Sequence, residues 1–400
     1  MYKYTIAHSV VIIVCSASFS TWASDESAKI DAHIKNLKAN VVVKKTLVDG
    51  SGKKISCVDI YNQPALNNPL LQGHQIQMQA SPELRKILPN IKENDATSSC
   101  PTGSVSMQLP TNEDVARAGS LNKFLSKYGI DNSIDSTSIS YSNIPKPSIN
   151  GHEYAAYGQA VNAIAAQSTF NIWKPLIEAN DMSLTQLWLA GGSGSATQTV
   201  EVGIQVLPSK YGDYLPHLFI YYTADNYNKS GCYNLDCSGF IKTSDILPIG
   251  GVIPSSVSGG TQVEGTLAFY RDPSTGNWIL YYFDGTNYTQ SGYYPKALFG
   301  TGQLSQYAQY VKFGGEIYSP TSTPHTTTDM GSGSFPSGGY KYTAYQRNLK
   351  YIDSQSAVHD FSKTVSYIDN TSCYNITTGT DTTWGSSIYF GGPGKSTSCP

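Results

Sequence analysis

The sequence predicts a mainly β protein, an antiparallel β-sandwich domain preceded by a small α+β region. Three observations predict it. From about Glu153 onward the chain reads as short runs of alternating residues bounded by Gly, Pro, Asn and Asp. Only 14% of the 400 residues are charged, while Tyr occurs 29 times and Gly 36 times; low charge with many Tyr, Thr, Ser and Gly fits a β-rich exported protein. Residues 24–145 hold 13 Lys+Arg and 12 Asp+Glu, against 13 and 17 over residues 146–400, about twice the length, so the charged part is a separate unit.

The N-terminus, MYKYTIAHSVVIIVCSASFSTWAS, has Lys3, an apolar run from Ile6 to Ala17 and small residues near Ala23. It is read as a signal peptide over residues 1–23, too short to span a membrane comfortably. Export makes the protein secreted or periplasmic, with no membrane contact after removal of the leader. Six cysteines then remain: Cys57, Cys100, Cys232, Cys237, Cys373 and Cys399. An even count in an exported chain implies three disulfides. The sequential pairing (57–100, 232–237, 373–399) keeps each bridge inside one local segment. Cys232-x4-Cys237 lacks a second Cys or His pair, so no metal site is expected.

Two segments of the charged region have helical character, DESAKIDAHIKNLKAN and TNEDVARAGSLNKFLSKYG. The second opens on an N-cap pattern at Thr111 or Asn112 with Glu113 and Asp114 in its first turn, and Gly129 is a plausible stop. A Ser-, Asn- and Pro-rich connector follows, where proteases nick chains. Residues 24–140 are therefore expected to form a removable pro-domain, 141–152 a linker and 153–400 the sandwich. Its strands are SLTQLWLAGG, TVEVGIQVLP, LPHLFIYYTADNY, TQVEGTLAFYRDPSTG, NWILYYFDG, TNYTQSGYY and YVKFGGEIYSP, with turns at residues 272–276 and 284–285.

Several chemistries find no support. There is no G-x-S-x-G, no H-E-x-x-H and no P-loop or dinucleotide fingerprint. His152, His217, His325 and His359 are scattered and read as structural or surface residues. The net charge of −2 gives no basis for nucleic-acid binding. Carboxylates remain. Residues 146–400 hold five glutamates: Glu153, Glu178, Glu201, Glu264 and Glu316. Glu178 reads as an exposed turn residue and Glu153 lies near the expected cleavage region. Glu201, Glu264 and Glu316 sit in strands beside glycine, which can mark close approach of a backbone or ligand. In TVEVGIQV, Val200, Val202, Ile204 and Val206 form one face; Glu201 lies on the other, which meets either water or a cleft.

Two neighbouring carboxylates can hydrolyse a bond without metal or cofactor. One stays ionised and takes a proton from the attacking water; the other, protonated, polarises the carbonyl and delivers a proton to the leaving nitrogen. Like charges close together cannot both ionise easily, so one pKa rises above the ~4.3 of free glutamic acid and the pair works best in acid. The same groups could cleave a glycosidic bond, and a non-catalytic β-sandwich binding module would need neither.

Here the chain resembles the neprosin family, glutamic peptidases with a preceding activation domain. CVDIYNQPALNNPLLQGHQIQM and CPTGSVSM are similar to blocks of the activation domain; GCYNLDCSGF, HTTTDMGSGSFPSGG, TQLWLAGG and FGGEIYS are similar to blocks of the catalytic domain, in the same order. The resemblance implies a β-sandwich endopeptidase using Glu201, in a strand where Ile204 replaces the usual Trp, and Glu316, where Phe313 replaces another. Glu264 then falls back to structure. It also implies cleavage next to proline, for which Trp188, Tyr222, Trp278 and Tyr293 are candidate aromatic walls. The expected partners are peptide or protein substrates and the chain's own pro-domain, an intramolecular inhibitor released in acid; a monomer is expected.

Overall fold

The computed structural model describes residues 15–49, 52–92, 99–127, 151–321 and 323–400, and for 15–24 the backbone alone. The first part of the expected signal peptide, most of the linker and the expected helix stop at Gly129 lie outside the described residues. Among those described, no helix is long and apolar enough to cross a membrane.

A helix spans Cys15–Leu37 and buries Ile30 against Val115, Ala118 and Phe124. Beside it lies a three-stranded antiparallel sheet with Lys54–Asp59 between Val43–Val48 and Ser104–Met107. Cys57–Cys100 ties the central strand to the approach of the third. The second helical segment divides in two. Thr111 and Asp114 close a reciprocal capping box on Asn112–Arg117. Gly119, at φ +89°, ends that helix, and Ser120 caps the next, Leu121–Leu125. The break at Gly119 leads the chain to Lys127.

The strands expected after residue 182 form as Met182–Gly191, Gln198–Val206, His217–Thr223, Glu264–Arg271, Trp278–Phe283, Tyr288–Tyr294 and Ala308–Tyr318. They belong to one antiparallel network joined through the twenty-residue strand His152–Asn171. That strand changes partners along its length. Its first half lies between Ala308–Tyr318 and Val365–Ile368, its second between Glu264–Arg271 and Ala344–Asp353. From Ala308–Tyr318 a sheet continues through Met182–Gly191, Gln198–Val206 and His217–Thr223 to Cys232–Tyr233.

The period-2 pattern decides which way this sheet faces. Val200, Val202 and Ile204 join Leu187, Leu189, Leu218, Ile220, Val311 and Phe313 in the main core, with Leu267, Phe269, Trp278 and Leu280 of the other layer. Burial of each large aliphatic side chain contributes roughly 1.5–3 kcal/mol, so this face is fixed inward and Glu201 must point outward. Cys232–Cys237 and Cys373–Cys399 complete the sequential disulfide set.

Candidate active site

Directly paired residues in an antiparallel sheet share a face. The register therefore lays out three rows on the outer face. One row is Lys312, Trp188, Glu201 and Tyr221. The third is Tyr154, Glu316, Leu184 and Gln205. Between them run Gly314, Gln186, Gly203 and Phe219. Glycine is needed on both sides of Gln186: a Cβ on Gly203 would sit 2.0 Å from the Thr185 carbonyl oxygen, and one on Gly314, at φ +148°, 2.3 Å from that of Ala155. Between these two glycines Gln186 is the one side chain of the middle row, and it reaches Glu201.

Glu201 and Glu316 are each 0% exposed, yet they face away from the main core. What covers them is Lys127, itself 3% exposed. Its Nζ lies 3.0 Å from Glu201 Oε2 and 2.9 Å from Glu316 Oε2, so a single nitrogen bridges two residues 115 positions apart in sequence (316 − 201). It also donates to Gln186 Oε1 at 3.3 Å. The outer oxygen of each carboxylate is anchored by other groups. Glu201 Oε1 accepts from Thr199 Oγ1 at 2.7 Å and Tyr227 Oη at 2.6 Å, and Gln186 Nε2 donates to Oε2. Glu316 Oε1 meets His152 Nδ1 at 2.7 Å and accepts from Tyr154 Oη at 3.1 Å. Lys312 packs its ammonium over Trp188, Tyr154 and Tyr367 at 4.0, 4.4 and 4.9 Å.

Electrostatics follow from this packing. Burial alone would push the Lys127 ammonium down, but Glu201 and then Glu316 more than offset it and hold it above its ordinary value. Burial would likewise push Glu316 up; Lys127, His152 and Lys312 outweigh it and hold the carboxyl well below the glutamate range. Burial drives the phenols of Tyr154 and Tyr227 well up, and the neighbouring carboxylates push the same way, so both remain hydrogen-bond donors. Burial brings Lys312 down to about 8. Lys127 Nζ therefore lies within hydrogen-bond reach of both carboxylates and offsets part of their charge.

Tyr227 is held there in a strained backbone conformation. Asn226 and Tyr227 have φ of +59° and +61°, a conformation unfavourable for side chains other than Gly and Asn. Asp225 pins the loop through the backbone amides of Asn228, Lys229 and Ser230.

Of the four aromatic candidates, Trp188 lies on the carboxylate face, with the Lys127 ammonium 5.2 Å from its ring. The other three lie away from that face. Tyr222 alternates to the core side, its ring 5.0 Å from Tyr294. Trp278 is fully buried in the same core and donates to the Leu304 carbonyl at 2.8 Å. Tyr293 lies under the N-terminal region, where its hydroxyl accepts from the Gln77 amide. Ile204 and Phe313 are core residues too, so both departures from the family pattern fall behind the sheet. Glu264 binds Arg347 through both oxygens, at 2.8 and 2.7 Å, and is structural. Sequence reading missed Lys127, His152, Tyr154, Gln186, Thr199, Tyr227 and Lys312. The signal for Gln186, Tyr154 and Lys312 was their register relative to the two glutamates; Lys127 carried none. A cavity of about 790 Å³ lies elsewhere, between Ile55 and Met107 on one side and Pro248 and Ile253 on the other; at the carboxylates Lys127 occupies the space.

The fold and site define a two-layer β protein with an acidic pair on its outer sheet face and a preceding segment seated on that pair. Residues 179–393 match the model of the family described as Neprosin, and residues 48–158 that of the Neprosin activation peptide. The chain belongs to the neprosin family. Solved structures similar to it include scytalido-glutamic peptidase with a transition state analog inhibitor, at 9% identity and a TM-score of 0.31, covering 60% of this chain and 97% of that one. Another is SCP-B, a member of the eqolisin family of peptidases, in complex with the tripeptide Ala-Ile-His, at 7% identity and a TM-score of 0.27 over the same shares. Superpositions this loose do not bear on the site.

Proposed function

We propose that the protein is a secreted glutamic endopeptidase made as an acid-activated zymogen. Water held between Glu201 and Glu316 attacks the peptide carbonyl. The observation that carries this reading is the shared Lys127 nitrogen, 3.0 Å and 2.9 Å from the two carboxylates: a small polar group at that point touches both. The family likeness favours a peptide over a sugar as substrate. Trp188, Tyr154 and Tyr227 give the cleft an aromatic lining against which a proline ring packs, and cleavage next to proline is the preference proposed. The leader over residues 1–23 directs export. The pro-domain cut falls between Lys127, which must leave, and His152, which holds Glu316.

The test is incubation of acid-treated protein with denatured protein, a proline-containing peptide and a polysaccharide, with products read by mass spectrometry. Peptide products with ends at proline are expected. Cleavage of the polysaccharide alone would overturn the reading.

The docked segment contains its own acid trigger. His33 Nε2 bonds the Asp236 carbonyl at 2.9 Å and His74 Nε2 the Tyr293 hydroxyl at 2.8 Å, across the interface. Burial lowers both imidazoles from the ordinary 6.5. Each is neutral when docked, so docking is intact above 6.5 and weakens as pH falls below it, because the released segment binds the protons more readily. His33→Gln and His74→Gln keep a neutral hydrogen-bonding group and should move the midpoint of pro-domain loss to lower pH on gels. An unmoved midpoint in the double variant would remove these histidines from the trigger.

A further inference from the structure

The two carboxylates are equivalent in residue type but not in surroundings, and the difference lies at His152. We propose that His152 is the positioning residue that makes Glu316 the ionised, water-activating member of the pair, leaving Glu201 to carry the proton; this rests on the peptidase reading above. The outer oxygen of Glu201 is held by two hydroxyls, from Thr199 and Tyr227, and its inner oxygen by an amide, from Gln186. These donors are neutral. The outer oxygen of Glu316 meets an imidazole nitrogen at 2.7 Å, a contact that holds the Glu316 carboxyl down. When Lys127 departs, the hydrogen-bond donors left on Glu201 are neutral, while Glu316 retains His152; Lys312 acts on both carboxylates and more strongly on Glu316.

The backbone is built to keep His152 there. Its strand starts against the end of the Glu316 strand, His152 paired with Tyr318. Gly151, at φ +94°, packs so closely that a Cβ would sit 2.0 Å from the Ser319 carbonyl oxygen. The imidazole lies between the rings of Tyr154, 6.3 Å away and nearly parallel, and Tyr318, 4.8 Å away. The titratable and charged groups around the pair are Lys127, Tyr154, Glu201, Lys312, Tyr318 and Asp369, the last accepting from the Tyr154 amide.

The step then balances. Glu316 takes one proton from water as the water oxygen bonds to the carbonyl carbon and the carbonyl pair moves onto oxygen, hydrogen-bonded by Glu201. Collapse breaks the C–N bond and the nitrogen takes the Glu201 proton, giving acid and amine. The proton on Glu316 passes to Glu201 and restores the pair.

The test uses His152→Asn, whose amide can donate from about the place of Nδ1 but never carries charge, and His152→Gln, with kinetics read on whichever yields folded, processed enzyme. With the imidazole gone, one of the groups that hold the Glu316 carboxyl down is lost, and its protonation becomes easier. The acid limb of kcat/KM should move to higher pH by about one unit, and kcat should fall about tenfold with KM nearly unchanged. An unmoved acid limb with unchanged kcat overturns the proposal, and so does a rise in KM alone, which would make His152 a substrate contact. Glu316→Gln separates the two levels: if that variant stays active the peptidase reading itself fails, whereas an inactive Glu316→Gln beside a normal His152→Asn sinks only the role given to His152.

Discussion

Replacing either carboxylate by its amide, Glu201→Gln or Glu316→Gln, should lower kcat by about a thousandfold or more, while leaving the protein folded and exported. General acid–base catalysis by one positioned group is worth typically 10²–10⁴, and a pair that shares one water acts as a unit, so the double variant should be little worse than either single one. Glutamine keeps the shape of the side chain. Thr199, Tyr227, His152 and Tyr154 have hydroxyl or ring donors that an amide oxygen still accepts. Initial rates on a proline-containing peptide, with thermal melting as the control for fold, check this. A Glu201→Gln protein that hydrolyses at the wild-type rate would leave the cleft a binding surface. Retained rates in Glu264→Gln are expected, because that carboxylate serves Arg347.

The legible part of this protein was the part that alternates. TVEVGIQV announced a strand with an apolar face and a polar one, and that face assignment holds because Val200, Val202 and Ile204 go into the core together. Disulfide pairing was legible because each bridge is local. What could not be read was register between strands far apart in sequence. Trp188 stands beside Glu201, and Tyr222 behind it, only because residue 188 pairs with 201 and residue 222 is one step out of phase with 221. Aromatic residues in a tyrosine-rich chain look alike until that parity is known, which is why Tyr222, Trp278 and Tyr293 were grouped with Trp188. His152 is not legible in the sequence, because a lone histidine next to a connector has no periodic or spacing signal. Its meaning comes from a strand that lies 164 residues from its partner.

Lys127→Met should reverse the pH dependence of latency. In the intact zymogen, Glu316 is held well below its ordinary 4.5, burial being outweighed first by Lys127. Such a group stabilises the docked form at neutral pH and loses that contribution as pH falls toward the depressed docked value, because the undocked carboxyl, without Lys127, protonates first. On the proposed function, the precursor is accordingly expected to stay plugged at neutral pH and to release in acid. Without the ammonium, two buried carboxylates face each other with Lys312 as the nearest remaining cation in the row. Their docked pKa then rises, and docking is lost as pH climbs through it. Breaking a buried ion pair by removing one partner costs about 3–5 kcal/mol, equivalent to about two to four orders of magnitude in the docking equilibrium. The Lys127→Met precursor should accordingly lose its N-terminal region in mild acid where the wild type stays full length, and should open to added protease at neutral pH. Lys127→Arg retains the charge and should lie between the two. Gels of all three precursors across a pH series read the outcome directly, and a Lys127→Met protein processed at the wild-type midpoint would show that the bridge between Glu201 and Glu316 does not govern latency.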